Sequence, residues 1–464
     1  MSASPATQGY MNGRPKLLIL KKDTCSNIRR HINQFIPQLS IPTREFSLAV
    51  AAASVTESRE ETATLSSEMR NFYEWFAGFT DAEGNFYIVI SGSCAFRFQI
   101  NLHKDDIDVL YYIHKTLGFG EVRSYHNFSA FTVTRLKDIA QLLKIFAQYP
   151  LQGSKWLNYR DFSKAFELYS NPCASPRGAE TLKDILRIKN GMNRLRSDFT
   201  MPNSKEIRIT PYWLLGFIEG EGSFSINKRN NFRLDFSLCQ SSTNLQLLGK
   251  IKIYLENLPS EVNTEGNYVG ALGISNARAN NPNHLPSTRI ETARIPYITS
   301  IFIPFLESLT WRSKKRFDFQ DWKNILLLKE QGHHLSEQGV KLIDLILSQM
   351  NNNRLSTASS QPTVDRTLLL AETNLLINGP SNFELRNGRK WVISLKKYYN
   401  SSRRNICVII TDEKGNNLHS FDSLADCAKF LVVHPDTVSK RIIKGIPFLL
   451  ENRRAYIKKE EVSN

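Results

Sequence analysis

The chain has 464 residues, a formal net charge of +16 and a pI near 9.5. That length suits two to four domains, and the excess of cations points to a polyanionic partner, nucleic acid before a membrane surface. No apolar run approaches the ~18 residues of a spanning helix, and six scattered cysteines (Cys25, Cys94, Cys173, Cys239, Cys407, Cys427) include no Cys-x-x-Cys pair, which argues for free thiols in a reducing compartment and against zinc or a disulfide scaffold.

Residues 1–66 read as a basic leader followed by a linker. Up to Thr43 the leader holds Arg14, Lys16, Lys21, Lys22, Arg29 and Arg30 against one acid, Asp23. An organelle transit peptide, an unstructured basic tail and the remnant of a fused upstream reading frame all fit that composition. The polar, acidic stretch 54–67 reads as linker.

A first folded unit is expected over 67–170. Asn71, with Glu74 three residues on, resembles a capping box. It would open a helix ending in Phe76-Ala77-Gly78-Phe79-Thr80-Asp81-Ala82-Glu83-Gly84. The chain then alternates: Phe96, Phe98, Ile100 and Leu102 share one strand face, and Arg97, Gln99, Asn101 and His103 the other. Arg, Gln and Asn pair with guanine and adenine edges, although a merely solvated sheet would alternate in the same way. Residues 105–117 and 136–149 read as amphipathic helices. Between them, 120–134 reads as a hairpin offering Arg123, Tyr125 and His126 to DNA. Residues 171–209 are a linker carrying Lys183, Arg187, Lys189, Arg194 and Arg196, fit to touch phosphates or simply solvated.

The second unit, 210–332, opens with Thr210 as N-cap and Pro211 at the first helical position. It repeats the first motif as Leu214-Leu215-Gly216-Phe217-Ile218-Glu219-Gly220-Glu221-Gly222. The flanks match too: Asn85-Phe86-Tyr87-Ile88 after one copy, Ser223-Phe224-Ser225-Ile226 after the other. Glu83 and Glu221 lie 221 − 83 = 138 residues apart, about one small domain of chain. Phe232, Leu234, Phe236 and Leu238 alternate with Arg233, Asp235, Ser237 and Cys239. Ser225, Asn227, Arg233, Asp235 and Ser237 are this repeat's candidate DNA contacts. Registering Phe98 with Phe236 sets Leu102 opposite Gln240. Residues 276–297 read as an Asn/Pro-rich loop against DNA, and 321–329 as a helix.

The duplication has a physical reading. Gly216 and Gly220 are four apart on one helix face, and Gly78 and Ala82 hold the same places in the first copy. Each glycine costs a helix roughly 1 kcal/mol, a sacrifice that makes sense where two backbones approach closely. Packed small face to small face, the helices would bring Glu83 and Glu221 together at their C-terminal ends. Two carboxylates ~5 Å apart repel by roughly 3 kcal/mol at an effective dielectric near 20, and a helix C-terminus disfavours anions. A divalent cation removes both penalties.

Both stretches resemble the LAGLIDADG motif of homing endonucleases in the single-chain, two-motif form, over roughly residues 71–332. The resemblance implies an α+β fold in which two pseudo-symmetric αββαββα half-domains form a saddle over double-stranded DNA. It implies a double-strand break with short 3′ overhangs at an intron-lacking allele. Glu83 and Glu221 would be catalytic acids holding Mg²⁺, helped by the backbone carbonyls of Ala82 and Gly220. Lys155 resembles a family lysine brought up by a loop, and setting Lys315 against it makes a second. Gln240 resembles a residue that orders water, and Leu102 marks its loss from the first copy. Asp81 and Glu219 are expected to fix the helix pair rather than bind metal.

Residues 333–405 read as a helical and basic linker. His333-His334 has no partner at ligand spacing, residues 335–350 are helical, and 385–411 carry seven cations with Trp391, Tyr398 and Tyr399 but no acid. Residues 406–458 resemble the nuclease-associated modular domain: short strands at 406–410 and 418–421, then helices at 424–431 and 436–443 as a helix-turn-helix. Thr437, Ser439, Lys440 and Arg441 would be on the reading helix. The whole is expected to be a monomer acting on DNA in mitochondria, with no membrane partner. The rival from another class is a maturase-type protein that binds its own intron RNA to assist splicing. A DNA-binding protein without catalysis is a third reading.

Overall fold

The computed structural model describes residues 67–91, 93–171, 178–259, 268–277, 286–359, 364–386, 388–399, 407–451 and 453–459. The expected leader therefore lies outside the described residues. The first repeat runs α1 (residues 67–83), β1 (Gly84–Ser91), β2 (Ser93–His103), α2 (Ile107–Leu117), β3 (Glu121–Ser124), β4 (Phe128–Val133), α3 (Leu136–Gln148) and α4 (Lys155–Ser170). After α5 (Ala179–Asn190), the second repeat runs α6 (Pro211–Glu221), β5 (Gly222–Asn227), β6 (Arg233–Ser241), α7 (Leu245–Glu256), β7 (Gly273–Ala277), β8 (Ser287–Thr292), α8 (residues 295–307) and α9 (Lys315–Glu330). The two antiparallel sheets have the same strand order, β1-β2-β4-β3 and β5-β6-β8-β7.

Register follows burial. Phe86 pairs with Phe98 and Phe224 with Phe236, and all four rings are buried. Shifting either strand by one residue would put these rings in water. The strand pairing thus supports setting Leu102 against Gln240. At the helix starts the outcomes differ. The Thr210 hydroxyl accepts the Trp213 N–H (3.3 Å), with Pro211 in the first turn. α1 is already helical at residue 67, so Asn71 lies inside it and is no cap. Residues 276–297 are no single loop either: β8 and the start of α8 occupy most of its described residues, and 278–285 lie outside them.

One apolar core runs through both repeats, and it recruits both stretches read as linkers. Ile185 and Met192 join it from the first, Leu342, Ile343, Ile346, Met350 and Leu369 from the second. The last five come from α10 (Glu337–Leu347), the turn after it, and α11 (Arg366–Ile377). The two stretches also carry a third duplicated feature. Asn193 and Asn351 both adopt positive φ (55° and 53°), a conformation asparagine tolerates. Their amides donate to Phe86 O (2.8 Å) and Phe224 O (2.9 Å). These are equivalent positions in the two repeats.

The basic stretch near residue 390 is also more structural than its charge suggests. β9 (Phe383–Arg386), β10 (Arg389–Val392) and β11 (Lys397–Tyr398) form a small sheet. Arg389 is buried and pairs with Asp422 at 3.0 Å. Beyond it, β12 (Val408–Asp412), β13 (Asn417–Phe421), α12 (Leu424–Phe430), α13 (Pro435–Lys444), β14 (Phe448–Leu450) and β15 (Arg453–Lys459) enclose a separate core of Val408, Ile410, Cys427, Val438 and Ile457. Both helices form where expected, but they pack on a four-stranded sheet, β13-β12-β15-β14. The sequence reading missed its last two strands.

The helix pair sets the fold's tightest requirement. A Cβ added at Gly78 would meet Trp213 O at 1.8 Å, and one at Gly216 would meet Trp75 O at 2.1 Å. Backbone cannot yield as a side chain can. Gly216→Ala should therefore destabilise the protein by about 3 kcal/mol, the upper end for overpacking, read by urea denaturation. A loss within ~0.5 kcal/mol would show that the helices separate at little cost.

Candidate active site between the motif helices

α1 and α6 cross with their small residues in contact. The first acid of each motif closes that contact by the same device. Asp81 accepts the indole N–H of Trp213 on the opposite helix (3.1 Å) and the backbone N–H groups of Gln152 (2.6 Å) and Gly153 (3.1 Å). Glu219 accepts the indole N–H of Trp75 (2.6 Å) and the N–H groups of Arg312 (2.6 Å) and Ser313 (3.0 Å). Each buried carboxylate thus ties three elements together: its own helix, the partner helix, and the loop ahead of α4 or α9. Burial pushes Asp81 up to about 6 and Glu219 to about 7, while every one of these donors pulls the other way. Three donors aimed at one carboxylate favour the charged form. These acids hold the scaffold.

The second acids have no such company. Glu83 and Glu221 are half-buried at the helix ends, and Glu83 lies against Gly220, where an added Cβ would stand 3.3 Å from its Cγ. Burial first, and then Glu221, push Glu83 up to about 7; Lys155 and Lys315 oppose the shift. Burial raises Glu221 as well, against a hydrogen bond from Gln240 and the same two lysines. All five expected catalytic residues therefore gather around one point. The loops anchored by Asp81 and Glu219 deliver the lysines. Lys155 Nζ donates to Ala82 O (2.9 Å), and Lys315 Nζ lies 3.7 Å from Asp318.

Among the described residues no group of three or more His, Cys, Asp or Glu side chains is placed to hold a metal ion. The donor set expected from the sequence is two carboxylates plus the carbonyls of Ala82, which here accepts from Lys155, and Gly220. Hard oxygens with room for further ligands fit a divalent ion of the Mg²⁺ or Ca²⁺ kind, and two crowded, proton-hungry carboxylates are what such an ion would relieve.

The two corners of the site are unequal. Beside Glu221, Gln240 Oε1 accepts from Asn244 Nδ2 (2.8 Å), and Asn244 Oδ1 accepts the Ser154 N–H (2.7 Å), one residue before Lys155. Beside Glu83, Leu102 replaces the amide. There the structure leaves a cavity of about 480 Å³ lined by Glu83, Leu102, Asp106, Lys315 and Arg354, among others. Arg354 carried no signal in the sequence reading, because it stands outside both expected repeats.

The expected DNA-facing side chains lie on the solvent side of the sheets, with qualifications. Arg97 and Asn101 are exposed, and Gln99 is half-buried, donating to Asn101 (2.6 Å). Arg123 pairs with Glu121, and the exposed Tyr125 ring stacks on Phe128. Ser225 and Arg233 are exposed and Asp235 and Ser237 half-buried, with Arg233 paired to Asp235. His103 is held by Asp105 (3.3 Å) and Thr357 (2.9 Å), and Asn227 caps the turn after β5 through Asn230 N–H. Those two have local work. On α13, Lys440 is exposed, Thr437 and Ser439 are half-buried, and the Arg441 guanidinium lies 4.7 Å over the Phe448 ring.

The division of labour between the acids predicts opposite stability effects. Asp81→Ala should cost about 3 kcal/mol by leaving buried donors unpaired. Glu83→Gln should be neutral or stabilising in metal-free protein at pH 8, since it removes one of two repelling charges. Parallel urea melts read both, and an equal loss in the two variants would refute the division.

Two stretches, residues 76–166 and 214–326, match the LAGLIDADG endonuclease family. The uncharacterized mitochondrial protein RF1 of Saccharomyces cerevisiae is 26% identical over 399 residues, 82% of this chain and 81% of that one. Probable intron-encoded endonuclease 3 of Neurospora crassa is 24% identical over 341 residues, 67% of this chain and 58% of that one. Among solved structures, the LAGLIDADG homing endonuclease I-GzeII in complex with its DNA target aligns at a TM-score of 0.50 and 26% identity, over 61% of this chain and 99% of that one. Duplicated motifs, matched sheets, and acids meeting at the ends of glycine-faced helices agree with these matches: the chain belongs to the LAGLIDADG endonuclease family, in the single-chain form that carries both motifs.

Proposed function

We propose that this protein is an intron-encoded, site-specific DNA endonuclease of mitochondria that makes a double-strand break at a long recognition site as a monomer. The observation that carries the reading is the meeting of Glu83 and Glu221, each left without a fixing partner like those of Asp81 and Glu219. A divalent cation, Mg²⁺ in the cell, would be held by Glu83, Glu221 and the carbonyls of Ala82 and Gly220, and would supply water activation and charge neutralisation at the scissile phosphate. Lys155 and Lys315 stabilise negative charge that builds on the phosphate. Gln240, steered by Asn244, orders water at its corner. Lys155 donates to Ala82 O, so its position and occupancy of that carbonyl are linked. Arg97, Gln99, Asn101, Arg123, Tyr125, Ser225, Arg233, Asp235 and Ser237 present hydrogen-bonding groups to base edges and phosphates. Thr437, Ser439, Lys440 and Arg441 would extend the contact from the C-terminal domain. Endonuclease names among the relatives favour DNA cleavage over the splicing role.

Glu83→Gln should abolish cutting of the uninterrupted insertion-site duplex and leave its binding within about tenfold, because the acid acts on the metal rather than on DNA affinity. Undiminished cutting would remove Glu83 from the chemistry. The pH dependence follows from the same carboxylates. Glu83 is raised in the fold, so its contribution to stability is greatest at low pH and is lost as pH rises through about 7. Metal-free protein should melt lower at pH 8 than at pH 5.5, and Mg²⁺ should restore stability at pH 8 only. Proton competition should weaken cation affinity roughly tenfold from pH 8 to pH 6, measurable by calorimetry with Mg²⁺ or Ca²⁺. A pH-independent affinity would count against carboxylate ligation.

A further inference from the structure

The corners of the site differ because two arginines at equivalent places have different partners. In the first repeat Arg196, three residues after Asn193, donates to Asn158 Oδ1 (3.0 Å) and pairs with Asp161. In the second, Arg354 stands three residues after Asn351, with Asp318 and Asp321 in the places of Asn158 and Asp161. Asp321 is already gripped at both oxygens by Arg366 from α11 (2.8 and 3.0 Å). Among the described residues Arg354 therefore keeps only Asp318 (3.5 Å) within its own repeat and reaches across to Asp106 of the other (3.3 Å). The counterpart of Asp106 is Asn244, whose oxygen and nitrogen are both spent on Ser154 and Gln240. The outcome is an arginine side chain, 16% exposed, in the wall of the cavity with Glu83 and Lys315, at the corner where Leu102 stands in place of an amide.

We propose that Arg354, aimed by Asp106 and Asp318, is the phosphate-binding catalytic group of the Leu102 corner. The two strands would then be cut by differently equipped halves of one site. The proposal rests on the endonuclease reading above. A planar guanidinium presents paired donors that match two oxygens of one phosphate, and the flanking acids hold it still without covering the cavity. Asp106 as an anion, where the other repeat has neutral Asn244, is what makes the cross-repeat pairing possible.

The test is strand-resolved cleavage by the full chain with Mg²⁺. The substrate is a duplex spanning the uninterrupted insertion site of the host intron, carrying a different 5′ label on each strand. Arg354→Ala should slow cutting of one strand roughly tenfold or more and leave the other within about twofold, so that nicked duplex accumulates. Gln240→Leu should slow the opposite strand. Arg354→Lys should recover part of the loss. Asp106→Asn, which copies the Asn244 corner and keeps the Asp318 contact, should slow the same strand as Arg354→Ala and serves if that variant does not fold. Equal slowing of both strands by the arginine variants, or no slowing of either, overturns the proposal. So does an effect on the same strand from Arg354→Ala and Gln240→Leu. If the unmodified protein cuts neither strand, the endonuclease reading falls and this inference with it.

Discussion

The approach of two backbones across Gly78, Gly216 and Gly220 is the constraint on which the remaining geometry depends. With Trp213 O and Trp75 O standing where a Cβ would go, the helices have one way to meet. That contact sets the distance between the sheets on either side and the meeting point of the helix ends. Helix propensity is given up at each glycine, and what is gained is placement. Two carboxylates 138 residues apart in sequence arrive at one point.

Such a contact needs reinforcement, because small residues bury little apolar surface. Asp81 and Glu219 provide it. Each takes an indole N–H from across the interface and two backbone N–H groups from the loop that positions a lysine. The residues that hold the scaffold and those proposed to carry the chemistry therefore differ by only two positions in sequence. The difference lies in what surrounds them: saturated donors for the first acid, a like charge and open space for the second. Perturbed carboxylates concentrate here for both reasons, and only the hydrogen-bond geometry tells the structural pair from the chemical one.

Duplication gave the site two equal halves in outline, and later differences in sequence made them unequal in detail. Leu102 stands where the other repeat has Gln240, Asp106 where it has Asn244, and Arg366 diverts the partner that Arg354 would otherwise have. None of these disturbs the helix contact, so the shared frame tolerates them. The extra helix α11 is part of that asymmetry. It packs on the core of the second repeat and supplies the Arg366 that takes Asp321, leaving Arg354 in the cavity wall at Glu83's corner.

Local chemistry determined much of this molecule from sequence alone. The repeated glycines and acids, the Thr210 cap, the alternation along β2 and β6, and the register that sets Leu102 against Gln240 all depend on short-range pattern. They were legible because a duplicated unit repeats its own evidence. The helix start at Asn71 was misread since a plausible cap in sequence says nothing about helix already present before it. Residues 171–209 and 333–405 were misread as linkers because their charged surfaces mask the few apolar residues, such as Met192 and Met350, that join the core. What only tertiary structure decided is partnership. Whether Arg354 meets Asp321 or Asp106 depends on Arg366 arriving first from a separate helix, and whether Arg389 faces a phosphate or Asp422 depends on how a later domain docks. Pairing across long separations in chain is a property of packing, and no local pattern records it.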